Sequence, residues 1–213
     1  MSRIELLDGA MGSELIKRGA NLPKHIWSAS INTDNPDAVN EIHKEYIDAG
    51  SNYITTNTFR TTPRAYMKTG LNNNVATKMA KDSLLGAINA SKRASNGKTK
   101  VLGSIAPLED CYKPNLFPGI DSAKKEYNQL ANWLNVKEID IFLIETMNSI
   151  IEAKVCIEEF SLYNKPIWVS FILKDQKHIL SGETLTDAIK MVEKYNIDAL
   201  LINCSSMYAT NYC

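Results

Sequence analysis

Asp140-Ile141-Phe142-Leu143-Ile144-Glu145 is four apolar residues closed at each end by a carboxylate, and it reads as a strand. From Ile150 to Leu162 the apolar residues fall at helical spacing, and Ile167–Ile172 is again β-branched and aromatic. Strand, helix, strand is the unit from which parallel sheets are built, because a parallel return needs a crossover and a helix supplies it.

The alternation extends in both directions. Upstream, Lys100–Ile105 reads as a strand behind a long helix over Val75–Ala94, and Tyr53–Thr56 as another strand. Before it, Asn35-Pro36-Asp37 opens a helix that runs through Ala49 and meets Gly50, with proline near the start and glycine past the end. The chain begins with an apolar stretch, Ile4–Leu7, and a helix over Met11–Arg18. Between the strands at 100–105 and 140–145, Asp121 is placed to cap a helix to about Val136. Downstream, Thr184–Tyr195 is helical and Ala199–Asn203 is a sixth strand.

Polar residues stand at the C-terminal ends of these strands: Asp8, Thr55-Thr56-Asn57, Ser104, Glu145, Ser170 and Asn203-Cys204. A barrel gathers every strand end around one mouth, whereas an open sheet gathers only those near its switch point. The expected fold is therefore α/β, an incomplete (β/α)8 TIM barrel with about six β/α units present. One domain over 1–213 is expected, lacking the last two units of a fold that typically takes about 250 residues.

Composition narrows the ligand. Twenty-four basic residues balance twenty-four acidic ones without a block of either sign, so there is no footprint for nucleic acid or an anionic membrane surface. No apolar run approaches the ~20 residues of a membrane helix, and a cytoplasmic protein acting on small molecules is the expectation. No G-x-G-x-x-G or P-loop pattern occurs. Gly9-Ala10-Met11-Gly12 is the nearest to a phosphate loop, and a tight turn into the first helix explains its glycines as well. Cys111, Cys156, Cys204 and Cys213 are scattered without close pairing, and each has a plain role as a small buried hydrophobe. His25 and His178 show no ligand pattern, and His43 sits at helical spacing, where packing or exposure is the ordinary role. Trp27 and Trp168 suit aromatic packing or the rim of a mouth.

Leu6-Leu7-Asp8-Gly9-Ala10-Met11-Gly12-Ser13-Glu14-Leu15 resembles the opening of the homocysteine S-methyltransferase family. His25-Ile26-Trp27-Ser28-Ala29 is similar to the family's Leu-Trp-Ser-Ala element, and Pro36–Gly50 to its P-x-x-[VI]-x-x-[VI]-H-x-x-Y-x-x-A-G helix. Thr55-Thr56-Asn57-Thr58-Phe59, Gly103–Pro107, Glu145-Thr146-Met147 with Glu152-Ala153, Trp168–Phe171, Ser181-Gly182 and Asn203-Cys204-Ser205 follow in family order. Each element alone is common. Nine in register are specific.

The resemblance implies a zinc enzyme that methylates homocysteine. Family members hold zinc through three cysteine thiolates, leaving a fourth position for substrate sulfur, which is reactive only as thiolate. Cys204 matches the first ligand and is the expected metal-binding and catalytic residue. The adjacent pair, Gly-Gly-Cys-Cys in the family, does not occur in this sequence, and Cys213 lies too close to Cys204 to stand for it. Glu145 matches the glutamate that takes the homocysteine ammonium, although a carboxylate at a helix start also suits the helix dipole. Asp8 and Gly9 match the pocket pair, and Thr55, Thr56, Ser104 and Asn203 are further substrate-binding candidates, since buried hydroxyls and amides need partners.

The activity so implied is methyl transfer from S-methylmethionine or S-adenosylmethionine to the zinc-held thiolate of homocysteine, giving methionine. The Trp-Ser-Ala element favours these donors over betaine or methyl-folate. With one expected ligand this chain alone is expected to be inactive. The alternative is a non-catalytic remnant or a binding half that works as a homodimer or with a complementing C-terminal fragment.

Overall fold

The computed structural model describes residues 4–211 and contains two compact units. The first runs through Ser104 and includes Val136–Asp140; the second holds Ile105–Asn135 and the chain from Ile141 onward. Cys213 lies outside the described residues.

The first unit contains α1 (Met11–Lys17), a 3-10 turn over Trp27–Ser30, α2 (Ile31–Asp34), α3 (Pro36–Asp48), β1 (Tyr53–Thr55), α4 (Pro63–Met67), α5 (Asn73–Ser95) and β2 (Lys100–Ile105, its last residue in the second unit). Asn35 caps α3, accepting the Ala38 N–H with Pro36 in the first turn, and Asn72 caps α5 in the same way through Val75. The face of α3 that carries Val39, Ile42 and His43 is buried, as is a stripe of small residues on α5, Ala76, Ala80, Ala87 and Ala90. Small side chains let helices approach closely. At Gly86 a Cβ would come within 2.5 Å of the Asn32 carbonyl oxygen of α2, so only glycine fits. β1 and β2 pair in parallel, Tyr53 beside Lys100. Asp140 continues this pairing by donating its N–H to the Val101 carbonyl at 2.9 Å and accepting the Val101 N–H on its carboxylate at 2.8 Å.

The expected strand over Ile4–Leu7 reduces to one parallel bridge, Leu7 to Tyr53. Ile4 is 84% exposed and Leu6 49%, so the apolar pattern there lacks the cover that would extend a strand.

The second unit contains a 3-10 turn over Pro114–Leu116, α6 (Ile120–Leu134), β3 (Ile141–Met147), α7 (Ile150–Phe160), β4 (Ile167–Phe171), α8 (Leu185–Val192), β5 (Ala199–Ile202) and α9 (Met207–Thr210). Gly119 rather than Asp121 stands at the N-cap of α6. The pairs β3–β4 and β4–β5 are parallel and follow chain order. Phe142, Phe160, Phe171 and Tyr127 are fully buried, and Phe142 meets Phe160 edge to face at 4.9 Å. Buried Glu152 on α7 accepts the Leu108 N–H at 2.8 Å and the Tyr127 hydroxyl at 2.9 Å, which ties the segment after β2 to the helices. Parallel strands in chain order, each followed by a helix, make the α/β pattern of an incomplete (β/α)8 barrel.

Candidate functional site

In the second unit the polar strand ends meet on one side chain. The register of β3 against β4 slips between Ile144 and Met147, leaving one extra residue on β3 at Glu145-Thr146. Such a bulge re-aims side chains that would alternate between faces of a regular strand. Thr146 takes a left-handed backbone, φ 59°, although it is fully buried.

Asn203, just past β5, binds both bulge residues. Its Nδ2 donates to Glu145 Oε2 at 3.0 Å and to Thr146 Oγ1 at 2.8 Å. Its Oδ1 accepts the Thr146 N–H at 3.1 Å and the Ser170 hydroxyl at 2.8 Å. Two donors and two acceptor sites are thus all engaged, which fixes the amide orientation without ambiguity. The Thr146 hydroxyl in turn donates to Cys204 Sγ at 3.8 Å. Cys204 also stands in the left-handed region, φ 50°. Two non-glycine residues held there cost of order 1 kcal/mol or more each, and such strain clusters at functional sites.

Cys204 is solvent-exposed as a residue, yet the protein packed around its sulfur desolvates it. That desolvation pushes the thiol above its ordinary range; the Thr146 hydrogen bond pulls it down and the Glu145 charge pushes it further up. Cys111 and Cys156 are buried, and burial together with the Glu152 charge holds the Cys156 thiol well above the usual value. Their plain reading as buried hydrophobes is what the structure gives. Among the described residues no three His, Cys, Asp or Glu side chains stand close enough to hold a metal ion.

In the first unit the Asp8 carboxylate, 3% exposed, accepts the Thr55 N–H at 2.7 Å and the Thr55 hydroxyl at 2.8 Å. Burial raises its pKa to about 6 against those hydrogen bonds, which pull the other way. The glycines that follow serve close packing, not a left-handed turn. A Cβ on Gly9 would fall 2.6 Å from the Tyr46 hydroxyl, and one on Gly12 would fall 2.5 Å from the Trp27 indole nitrogen. Trp27 is 42% exposed and rests on Gly12 instead of entering the core.

Thr56 and Ser104 are buried and bound to each other's chain. The Ser104 N–H donates to Thr56 Oγ1 at 3.1 Å, the two threonine hydroxyls of Thr56 and Thr58 meet at 2.7 Å, and Thr58 donates to the Ser104 carbonyl at 2.7 Å. Asn57 and Ser28 belong to a second buried network. Ser28 donates to Asn57 Oδ1, while Asn57 Nδ2 donates to the Ser28 carbonyl and to Asn32 Oδ1. The Trp-Ser-Ala and Thr-Asn-Thr elements are therefore structural partners, which no spacing in the sequence reveals.

The structure thus brings Glu145, Asn203 and Cys204 together, pairs Asp8 with Thr55, and pairs Thr56 with Ser104. Thr146 and Ser170 were not among the expected binding residues. In a regular strand Thr146 would face away from Glu145, and only the bulge turns both toward Asn203.

The sequence pattern described as homocysteine S-methyltransferase matches residues 5–211. The chain belongs to the homocysteine S-methyltransferase family. The resemblance read from its motifs is borne out along nearly the whole length. The homocysteine S-methyltransferase of Escherichia coli (strain K12) is 28% identical over 220 residues, covering 97% of this chain and 71% of that protein. The Bacillus subtilis (strain 168) homocysteine S-methyltransferase YbgG is 27% identical over 218 residues, covering 95% of this chain and 69% of that one. Among solved structures, the metallated form of the E. coli homocysteine methyltransferase MmuM superimposes with a TM-score of 0.84 at 27% identity, over 99% of this chain and 78% of that one. This family's relatives are methyltransferases, and the fold they share with this chain is the one its strand ends predict.

Proposed function

We propose that this chain binds homocysteine and serves its S-methylation to methionine, with S-methylmethionine or S-adenosylmethionine as donor. The observation that carries the reading is the grip of Asn203 on Glu145 and Thr146, and through Thr146 on the Cys204 thiol. It joins a carboxylate suited to an ammonium with a sulfur suited to a soft metal in one rigid group. Glu145 receives the substrate ammonium, Asn203 fixes its orientation, and Cys204 supplies a metal-binding thiolate that the Thr146 hydroxyl supports. Within the first unit, Asp8 is the candidate substrate-binding carboxylate, with Gly9 and Thr55 shaping its surroundings. Thr56 and Ser104 hold the neighbouring strand ends in place for it.

Catalytic zinc takes three protein ligands and keeps one position open. The described residues offer one exposed thiol and no cluster of three ligands, so they do not fit a complete zinc site. No metal-bound step is assigned to them. The same observation favours a second reading, a binding half that acts as a homodimer or with a complementing polypeptide. Among the described residues no helix is long and apolar enough to cross a membrane.

Calorimetry with homocysteine, beside zinc analysis and a methyl-transfer assay, tests both. Binding that Glu145→Gln weakens at least tenfold supports the assignment, because a charge-assisted hydrogen bond is lost. Homocysteine binding that ignores Glu145→Gln refutes it. Tight stoichiometric zinc or turnover by the 213-residue chain as a monomer would refute the binding-half reading.

A further inference from the structure

His43 of α3 is fully buried, and its Nδ1 has no hydrogen-bond partner. A buried polar atom left so is costly, which makes an orphan of this kind a pointer to function or to a state not yet engaged. The atom facing it is Asp8 Oδ2, 3.9 Å away. On the other side of the ring, Nε2 lies 3.1 Å from the Ser91 hydroxyl of α5, which also reaches the Ala87 carbonyl at 3.0 Å. Ser91 can therefore donate to Nε2 or to Ala87, and its choice sets the tautomer of the imidazole.

The surroundings of Asp8 decide which tautomer is wanted. Both of its oxygens accept hydrogen bonds from Thr55, an arrangement made for the ionised carboxylate. Beside a carboxylate, an Nδ1–H is attractive and a bare Nδ1 lone pair repulsive. Burial keeps His43 neutral by lowering its pKa to about 4, so the group acts through its N–H dipole and not as a cation. Several charged groups on the elements packed against α3 pair with groups other than His43, among them Lys78 with Asp82 and Lys92 with Glu138 on α5. Glu14 and Lys17 of α1 pair with each other, Arg18 after α1 pairs with Glu45, and Arg93 of α5 pairs with Asp37. Asp34 ends α2, and Tyr53 of β1 gives its hydroxyl to Glu5. Tyr46, one turn along α3, has its phenol raised by burial, with Glu14 and Asp8 adding to the shift.

We propose that His43 is a positioning residue for the substrate-binding carboxylate: with Ser91 donating to Nε2, it presents Nδ1–H to Asp8 and keeps that carboxylate ionised and aimed. It deepens the proposed function, on which it rests for what the Asp8 charge is for.

The test follows the Asp8 carboxyl carbon by NMR across pH in 13C-labelled protein without substrate. Wild type should titrate near 6. His43→Leu, which removes the dipole, should move the midpoint up by roughly half a pH unit or more, and His43→Asn, whose amide nitrogen can donate from the Nδ1 position, should restore it. Ser91→Ala should shift it in the same direction by less, because it frees the ring to take the other tautomer. A midpoint unmoved in His43→Leu overturns the proposal, as does an asparagine variant that shifts as far as leucine. Should His43→Leu fail to fold, an unmoved midpoint in Ser91→Ala overturns it equally. Homocysteine plays no part in this titration, so it can fail while substrate binding stands, and the converse.

Discussion

Removing one member of the Asp8–His43 pair should expose a pH dependence that the intact pair hides. The His43 pKa falls from 6.5 to about 4 on folding, so its contribution to stability is full above 6.5 and is lost as pH falls toward 4. Asp8 behaves oppositely: its pKa rises from 3.8 to about 6, so its contribution is full below 3.8 and is lost as pH rises through 6. Between pH 4 and 6 the folded pair holds one proton, on Asp8, and the unfolded pair also holds one, on the histidine. The two slopes cancel. Each shift is about two pH units, worth roughly 3 kcal/mol at about 1.4 kcal/mol per unit.

The assay is urea denaturation of wild type, Asp8→Asn and His43→Gln at intervals from pH 4 to 7. Stability relative to wild type should fall toward pH 4 in Asp8→Asn, where the histidine acts alone, and rise toward pH 4 in His43→Gln. Each should change by up to about 3 kcal/mol across the window. Differences from wild type that stay flat with pH, or slopes of the same sign in both variants, refute the reasoning.

Asn203→Ala should destabilise the second unit by about 2–4 kcal/mol in denaturant melts, because it leaves the buried Thr146 N–H and Ser170 hydroxyl without their acceptor. Gly86→Ala should lower stability by about 1–3 kcal/mol, since the added methyl meets the Asn32 carbonyl; a neutral result would place α2 farther from α5 than described. Glu152→Ala should cost about 2–3 kcal/mol by orphaning the Leu108 N–H and leaving the Tyr127 hydroxyl only the Ala106 carbonyl at 3.3 Å, whereas Glu152→Gln, able to accept both on Oε1, should cost less than half of that. Cys204→Ser should abolish whatever zinc the chain retains in metal analysis, and retained zinc would reassign the ligand.

The order of strands and helices was legible because each has its own period, and Glu145, Asn203 and Cys204 were singled out by their match to family motifs near strand ends. What lay beyond reading depends on contacts distant in sequence. The bulge that turns Thr146 toward Asn203 arises from register against β4, 20 or so residues on, and nothing in Glu-Thr-Met announces it. Gly9 and Gly12 suggested a turn and instead make room for Tyr46 and Trp27, rings that come from other segments. Ile4–Leu7 carries a strand's apolar character, but a strand also needs cover, and most of its side chains remain exposed. His43 had the spacing of an ordinary packed residue, and it is one; its unpartnered nitrogen is visible only once Asp8 stands opposite.

The backbone at Cys204 lies where L-residues are uncomfortable and their mirror images are at ease. A semisynthetic chain with D-cysteine there would relax the peptide while swinging the sulfur to the opposite side, away from Thr146. Chirality, and not only identity, is therefore part of what addresses this thiol to its neighbours.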